Sequence, residues 1–553
     1  MSKASLCRWS LALSIVGGLL LPLSCGSDDN DGGGKAAAGS ASGGDGTGGR
    51  GDGGEPLNLG GSLVPGEDGG NGGTGPVCPP YQALCAARCI PTSVDPLNCG
   101  ACGHECAAEQ VCSSGACSDD CPPGFAACGG SCVDLDNDSA HCGDCDSACD
   151  AGQGCANGLC ADAVPVGPAP ARCQNGGPPI SVGEGDDQKC LGTLAQTTFR
   201  WSLCSCTDLN VSAALTTDAY DSTVGPYAPG ETGGGIGVDR DVTNWSEAVK
   251  VGGTLWVAGT DEYSSSGPPS EVKADMHLGG SWTASTEFAV EGDASYVGSL
   301  SGVSVAGKSE KVASVPPACD CSPGQLVPIA AIVEAHRTSN DNADIDLDPT
   351  VLESPTSALR LDLPCGNYYF TQIDTSLALT IHVHGHTALY VAGDVQASSA
   401  LAFVLDPDAS LDLFVAGTLK ASDTFVFGSP LYPALSRAYI GGTAKLALSD
   451  DVRLAGQLYA ANSEQVVWSA SNDIYGSVFA GSFRSSDVTN IHYDRGVLRA
   501  GDECPPGGGE CGSCEDCHNQ ACKNGVCGEC ETSSDCCSPL VCRSGACVPM
   551  ILK

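Results

Sequence analysis

Three histidines, His382, His384 and His386, alternate with other residues in one short stretch of the chain. On a β-strand their imidazoles would project from one face about 7 Å apart. Zinc and iron sites in proteins use imidazoles at such spacing. The pattern predicts a candidate metal site, and its alternative is a solvated histidine stripe. Zinc catalysis would also need a buried cleft and a general base, for which the sequence offers no specific residue.

A second candidate metal site is the acidic run from Asp341 to Asp348. Within it, Asp344, Asp346 and Asp348 have the spacing of the start of an EF-hand loop, but Pro349 and Pro355 replace the glycine and the bidentate glutamate which that loop requires. The EF-hand is therefore excluded. A looser calcium site and a charged loop stay open as interpretations.

No catalytic residue and no cofactor are predicted. The motifs G-x-S-x-G, H-E-x-x-H and G-x-x-x-x-G-K-[ST] are missing from the sequence. Cys514 to His518 matches the C-x-x-C-H signature of covalent haem, but disulfides explain these cysteines more simply. With 66 acidic residues, a pair of carboxylates has no diagnostic value for glycoside cleavage.

The charge of the chain restricts its partners. Its 25 basic and 66 acidic residues give a formal net charge of -41. Such a chain repels phosphate backbones and anionic headgroups, so nucleic acid is not expected as a partner.

Residues 1–24 have the basic start and the short apolar core of a signal peptide, too short to span a bilayer. The stretch from Leu21 to Cys25 resembles the lipobox of bacterial lipoproteins, with Pro22 as a departure from that pattern. The resemblance implies lipidation of Cys25 and anchoring at the outer membrane or cell surface. Ordinary cleavage with release is the alternative. Residues 25–77 are rich in glycine and predict a disordered tether.

Two modules follow, residues 78–120 and 121–161, with identical intervals between their cysteines. So few large apolar residues cannot hold a fold, which favours disulfides over the zinc-ribbon alternative. Eight cysteines allow 105 pairings, so connectivity stays open. The modules resemble tandem Cys-rich stalk modules of exported bacterial proteins. The predicted disulfide cysteines are Cys78, Cys85, Cys89, Cys99, Cys102, Cys106, Cys112, Cys117, Cys121, Cys128, Cys132, Cys142, Cys145, Cys149, Cys155 and Cys160.

After a linker over 162–195, short aliphatic alternations ending in Ala-Gly recur about every 24 residues. This period predicts a mainly β fold, with a parallel β-solenoid in two parts, 196–318 and 319–504. A β-sandwich array is the structural alternative. In 381–391 the odd positions Ile381, Val383, Leu389 and Val391 should point inward and the histidines outward. Small aliphatic side chains are expected to fill the interior.

The segments 201–204, 366–369, 411–417 and 491–494 resemble an uncharacterised domain of bacterial surface and pilus-associated proteins. That resemblance implies a β-helix and no catalytic residues. By parity of the cysteine count, Cys504 is predicted to pair within the solenoid domain.

Residues 505–553 form a predicted Cys-rich module that resembles knottin and Dickkopf-type modules. Its predicted disulfide cysteines are Cys511, Cys514, Cys517, Cys522, Cys527, Cys530, Cys536, Cys537, Cys542 and Cys547. The sequence thus predicts an exported lipoprotein with a structural or adhesive role, facing extracellular polysaccharide, a pilus or a neighbouring cell. A polysaccharide lyase or hydrolase acting on the solenoid face is the alternative function.

Overall fold

The computed structural model describes most of residues 82–503 and four short strands between 521 and 549. The gaps within the first range are 86–87, 93–94, 114, 122–123, 179, 183–188, 226, 230–231, 408, 450 and 469–471. The predicted leader, Cys25, the tether, Cys78, Cys504 and most of the tail lie outside the described residues.

A parallel β-solenoid dominates the described chain, as the sequence predicted. Each complete turn, or rung, has three short strands, and stacked rungs form three faces of parallel sheet. Register offsets between rungs that follow each other along the chain run from 15 residues, Phe288 to Val303, to 34 residues, Leu215 to Val249. The expected period of about 24 residues is therefore only a typical value.

The strands are given face by face in their stacking order. Face 1 contains Leu159–Ala163, Leu359–Leu363, Leu379–Val383, Leu401–Leu405, Phe425–Gly428, Thr489–Asp494, Leu215–Tyr220, Val249–Val251 and Ser270–Val272. Face 2 contains Gly366–Phe370, His386–Val391, Ser410–Val415, Ser436–Ile440, Leu203–Ser205, Ile236–Val238, Leu255–Val257, Met276–Leu278, Ala294–Tyr296 and Ser309–Lys311. Face 3 contains Ile373–Thr375, Val395–Ala397, Leu419–Ala421, Leu446–Leu448, Val466–Trp468, Phe483–Ser485, Leu209–Val211, Val242–Trp245 and Glu262–Ser265.

Four longer strands pass through a corner and serve two faces. Val452–Ala460 and Asn472–Ala480 run from face 1 into face 2, and Ser281–Val290 and Leu300–Val305 run from face 3 into face 1. Asn472–Ala480 bends at Gly476, whose φ of +140° suits glycine. A Cβ there would lie 2.0 Å from the carbonyl oxygen of Gly456 on the rung below.

The rungs are not stacked in the order of the chain. The rung of 203–220 pairs on one side with the next rung along the chain and on the other side with the last rung, 472–494. We call the pairing of Leu215–Tyr220 with Thr489–Asp494 the seam. The chain therefore starts the solenoid in its middle, winds out to residue 311, and starts again at the opposite end at residue 359.

Residues 312–358 connect the two parts, and we call this segment the strap. It contains the helix Ile329–Ala335 and the 3-10 helix Asn342–Ile345. Two disulfides, Cys204–Cys319 and Cys206–Cys321, fasten its start to the rung that begins at residue 203. The strap thus returns past the seam before the second part begins.

The interior follows the predicted alternation. Ile381, Val383, Leu389 and Val391 are all fully buried in one continuous core. The interior also holds rings, contrary to the expectation that small aliphatic side chains fill it, because Trp282 and Trp468 are fully buried there. The three-sided cross-section has corners wide enough for rings, and Trp282 packs edge-on against Trp245 at 4.9 Å.

The outer side of face 2 is covered by a second apolar cluster. It involves the helices Leu191–Thr198 and Ile329–Ala335 and the 3-10 helix Arg495–Glu503. Tyr390 points outward as predicted, yet it is fully buried because His336 stacks on its ring at 3.7 Å. A ladder of rings continues along this face, formed by Tyr390, Phe414, Tyr439, Tyr459 and Phe479.

The Cys-rich modules are built from short hairpins and disulfides. The strands are Gln82–Cys85, Arg88–Pro91, Val111–Ser113, Ala116–Ser118, Ala126–Cys128, Ser131–Val133, Gln153–Ala156 and Leu159–Ala163. Leu159–Ala163 pairs with Leu359–Leu363, so the second module caps one end of the solenoid. The remaining described elements are the 3-10 helices Ala171–Gly176 and Pro433–Leu435 and the strands Ser181–Val182, Lys189–Cys190, Ala521–Lys523, Val526–Gly528, Leu540–Arg543 and Ala546–Pro549.

None of the helices in the described part of the chain has the length and apolar character needed to cross a bilayer.

Candidate functional site: a groove on face 1

The register of face 1 aligns one outward-facing side chain from each rung into a column. From the capped end to the seam, the column contains Asp362, His382, Val404, Gly428, Ala455, Tyr475, His492 and Asp218. Its two ends carry acids, histidines and a tyrosine, whereas its middle is small and apolar. Because neighbouring strands pair at a fixed distance, the side chains of successive residues in the column are held about one strand spacing apart.

At the capped end, His384 bridges two carboxylates from the rungs on either side of it. Its Nδ1 lies 2.7 Å from Oδ2 of Asp406, and its Nε2 lies 3.1 Å from Oδ1 of Asp362. Both ring nitrogens donate only when the imidazole is protonated. His384 is thus an imidazolium held between two anions.

The surroundings set the pKa values of this cluster. Burial alone would lower the pKa of His384, but hydrogen bonds and charges from Asp362 and Asp406 raise it to about 9. Burial opposes ionisation of both acids, yet their histidine partners, with Arg360 beside Asp362, hold the pKa of each well below its usual range.

His382 has a different role in the same cluster. Its Nδ1 accepts a hydrogen bond from Arg360, and its Nε2 donates to Oδ1 of Asp406 at 2.9 Å. Burial lowers the pKa of His382, although Asp406 opposes that shift. The guanidinium of Arg360 also reaches the carbonyl oxygen of Cys155 at 3.1 Å, which ties the cluster to the second Cys-rich module.

The structure separates the predicted histidine stripe. The strand ends at Val383, His384 and Gly385 form a corner, and His386 begins the next strand on face 2. Nδ1 of His386 lies 2.9 Å from Oγ of Ser410. The prediction that all three histidines share one strand face is therefore wrong, because the corner turns His386 away.

The metal-ligand set that the structure brings together is Asp362, His382 and His384. Oδ1 of Asp362 lies 3.1 Å from Nε2 of His384 and 3.6 Å from Nδ1 of His382. Ligand atoms around a tetrahedral zinc have similar separations. A metal would have to displace Arg360 from His382 and a proton from His384, so metal binding here stays a prediction.

A similar arrangement lies at the seam. Nδ1 of His492 is 2.7 Å from Oδ1 of Asp218, and its Nε2 is 3.5 Å from Oδ1 of Asp473. Burial lowers the pKa of His492, but these two acids raise it to about 9. Tyr227 completes the cluster, since its hydroxyl donates to Oδ2 of Asp218 at 2.6 Å and its ring packs on His492.

Between these two clusters lies a groove with a volume of 860 Å³. One wall comes from residues 124–140 of the second Cys-rich module, and the other from the loop 428–432. The floor is the apolar part of the column, Val404, Gly428 and Ala455. Gly428 has a φ of +80°, and a Cβ there would approach the carbonyl oxygen of Ala455 to 2.0 Å.

The groove is acidic. Two guanidinium groups, of Arg360 and Arg453, face the cavity, and both are already paired with carboxylates. The acidic residues that line it are Asp134, Asp138, Asp406, Asp451 and Asp473. The side chains of Asp451 and Asp473 are each about half exposed, and each carboxylate has one oxygen bonded to a neighbour, Oδ2 of Asp451 to Arg453 and Oδ1 of Asp473 to Asn490.

Sequence reasoning missed the acids of both clusters and the groove itself. Asp362 and Asp406 each lie 22 residues from His384, one rung before and one rung after it. A spacing of 22 residues would identify these acids as neighbours of His384 only if the length of each rung were known. At the seam the two partners are 274 residues apart, so no local pattern connects them.

The predicted acidic run has structural partners. Arg172 pairs with Asp341 at 3.0 Å and with Asp344 at 2.7 Å, while Asp348 caps the turn at Thr350. Calcium binding by this run stays a prediction.

The predicted disulfide cysteines have a regular connectivity where the structure describes them. The second module has the bonds Cys121–Cys132, Cys128–Cys145, Cys142–Cys155 and Cys149–Cys160. The first module repeats three of these at equivalent positions, Cys85–Cys102, Cys99–Cys112 and Cys106–Cys117. Cys89 lies in a described strand. In the tail, Cys522, Cys527, Cys542 and Cys547 lie in described strands, and Cys511, Cys514, Cys517, Cys530, Cys536 and Cys537 lie outside the described residues.

Comparison with known families gives two partial matches. Residues 305–499 match a domain of unknown function, DUF7305, which covers the strap and the rungs that form the groove floor. Residues 67–120 and 113–163 each match the stigma-specific STIG1-like protein family. No curated protein and no solved structure matches the chain. The chain thus carries a DUF7305 domain beside Cys-rich modules with disulfides.

Proposed function

We propose that this protein is an exported cell-surface protein with a structural or adhesive role, and that its groove binds extracellular polysaccharide. The observation that carries the proposal is the groove itself, a cavity of 860 Å³ set on a rigid stack of paired strands. Its volume lies within the range of small-molecule and cofactor sites. Rings, carboxylates and a small apolar floor suit sugar rings with their hydroxyl groups.

The disulfides support export. Those that are described include bonds across 115 and 192 residues, which hold the strap and the linker to the solenoid. Such bonds persist in oxidising compartments and are rare in reducing ones. Lipidation at Cys25 and an outer-membrane or cell-surface location remain part of the proposal.

Export and anchoring can be tested by the intact mass of the protein from its own membrane fraction. We expect a chain that begins at Cys25 and carries acyl chains. A chain without acyl groups, recovered from the medium, would show release instead of anchoring.

The binding role can be tested on a panel of polysaccharides with a parallel assay for reducing ends. We expect retention of at least one polysaccharide without turnover. Release of reducing or unsaturated ends would favour the alternative, a lyase or hydrolase on the solenoid face. Failure to retain any polysaccharide would contradict the proposed ligand class.

A further inference from the structure

We infer that the groove selects a polysaccharide whose sugars carry free amino groups. This inference rests on the proposed function and names the ligand class of the same site. It is argued from the charge of the walls, the nature of the floor and the length of the groove.

The charges that line the groove disfavour polyanionic ligands. Five carboxylates and two guanidinium groups line the groove, which gives its walls an excess of negative charge. A chain of uronic acids would meet like charge over the whole groove, which costs binding energy. An ammonium group, in contrast, can donate to the half-exposed carboxylates of Asp451 and Asp473, in addition to the bonds that these accept from Arg453 and Asn490.

The floor argues against an extended peptide. Val404, Gly428 and Ala455 belong to strands inside the stack, whose backbone groups already pair with the rungs above and below. An extended peptide usually gains affinity by adding a strand to a free sheet edge, and the floor offers none. A sugar chain needs only side-chain partners and apolar contacts.

The length of the groove suits a polymer. Its lining runs from His382 to Tyr475, which is four strand spacings along face 1. At about 4.8 Å per spacing this is roughly 19 Å. Two rings line the groove, Phe125 in the module wall and Tyr475 at the seam side. The groove therefore holds several sugar units in a row.

The test is calorimetric titration of the full chain at pH 6 with four probes of equal length. They are a glucosamine hexamer, its fully N-acetylated counterpart, a galacturonate hexamer and hexalysine. We expect the glucosamine hexamer to bind at least about tenfold more tightly than the acetylated one, and its affinity to fall with added salt. No binding of the galacturonate hexamer is expected.

The site is tested with the variants Asp451→Asn and Asp473→Asn. Each should weaken binding of the glucosamine hexamer by about five- to tenfold, because a charged hydrogen bond is lost. Asp374→Asn is the matched control, since Asp374 is exposed on face 3, away from the groove. Circular dichroism melting checks that each variant is folded.

The remaining outcomes are distinguishable. Equal affinity for the glucosamine and acetylated hexamers would overturn the amine selectivity and leave the proposed function standing. Tighter binding of galacturonate would overturn the charge argument. Binding of hexalysine alone would overturn both the inference and the proposed ligand. Unchanged binding by the Asp451→Asn/Asp473→Asn double variant would place the site elsewhere.

Discussion

At the residue scale, each end of the groove depends on a protonated histidine between two acids. A neutral imidazole would leave Asp406 facing Asp362, which Arg360 alone would compensate, and Asp218 facing Asp473. Each imidazolium supplies positive charge between its two acids. His384 bonds to both of its acids, whereas His492 bonds to Asp218 and forms a longer ion pair with Asp473. The same chemistry thus stabilises both ends of the column on face 1.

This arrangement predicts a pH dependence of stability. The pKa values of His384 and His492 are raised to about 9 in the folded chain, against about 6.5 when unfolded. Their contribution to the free energy of unfolding is therefore complete below about pH 6.5 and is lost as the pH rises through about 9. Urea denaturation from pH 6 to 10 should show this decline.

The control for that prediction is the double variant His384→Gln/His492→Gln. It should be less stable than the native chain at pH 6 and should lose less stability between pH 7 and 9.5. Equal slopes for the two proteins would show that these histidines are not protonated in the folded state.

A second residue-scale prediction concerns Arg437 and Asp412, which form a bidentate pair buried on face 2. Arg437→Met should cost about 3–5 kcal/mol, because it removes the guanidinium that compensates the buried charge of Asp412. The double variant Arg437→Met/Asp412→Leu should recover much of that loss. Urea denaturation at pH 7 measures both, with Lys420→Met as an exposed control on face 3. A single variant as stable as the control would contradict the pairing.

At the element scale, the strap determines how the two parts of the solenoid meet. Cys204–Cys319 and Cys206–Cys321 each close 115 residues, and their ends are two residues apart. A disulfide stabilises mainly by restricting the unfolded chain, and the first bond already imposes nearly all of that restriction. The two bonds are therefore strongly redundant.

Removal of one bond by Cys206→Ala/Cys321→Ala should thus cost about 1 kcal/mol or less. Removal of both bonds should cost about 4–5 kcal/mol, as expected for a loop of this length. Guanidinium denaturation of the two variants measures the difference. Similar losses in both variants would argue against redundancy.

The sequence predicts some elements well and others poorly. The exact cysteine repeat predicts two equal modules, and the alternation around Ile381 predicts which side chains face the core. The burial of Tyr390 is missed, because it depends on where the strap places His336. The acids beside His384 are missed because rung lengths vary. The number of residues between neighbours on adjacent rungs is therefore not known from the sequence.

At the scale of the whole molecule, the solenoid has two different ends. The second Cys-rich module covers one end by pairing with Leu359–Leu363. The last strand at the other end is Ser309–Lys311, which is exposed. It contains the charged residues Glu310 and Lys311, and Lys308 precedes it. Charged side chains on an edge strand disfavour pairing with another chain.

The order of the rungs has no counterpart in the sequence pattern. Consecutive rungs usually stack in sequence, which would place Gly366–Phe370 against Ser309–Lys311 on face 2. Instead the seam joins residues 274 apart, such as Asp218 and His492. Contacts at such separation form slowly, so we expect closing of the seam to be a late step in folding.

The seam is the central claim about this molecule, because it completes the second cluster and one end of the groove. It can be tested by photo-cross-linking from benzoylphenylalanine placed at Thr216 and, separately, at Glu310, followed by peptide mapping. The structure predicts cross-links from position 216 to the peptide of 489–494, its neighbour across the seam. Cross-links from position 310 to residues 366–370, the next strand of the same face, with none from 216 to 489–494, would show rungs stacked in chain order and would contradict this account.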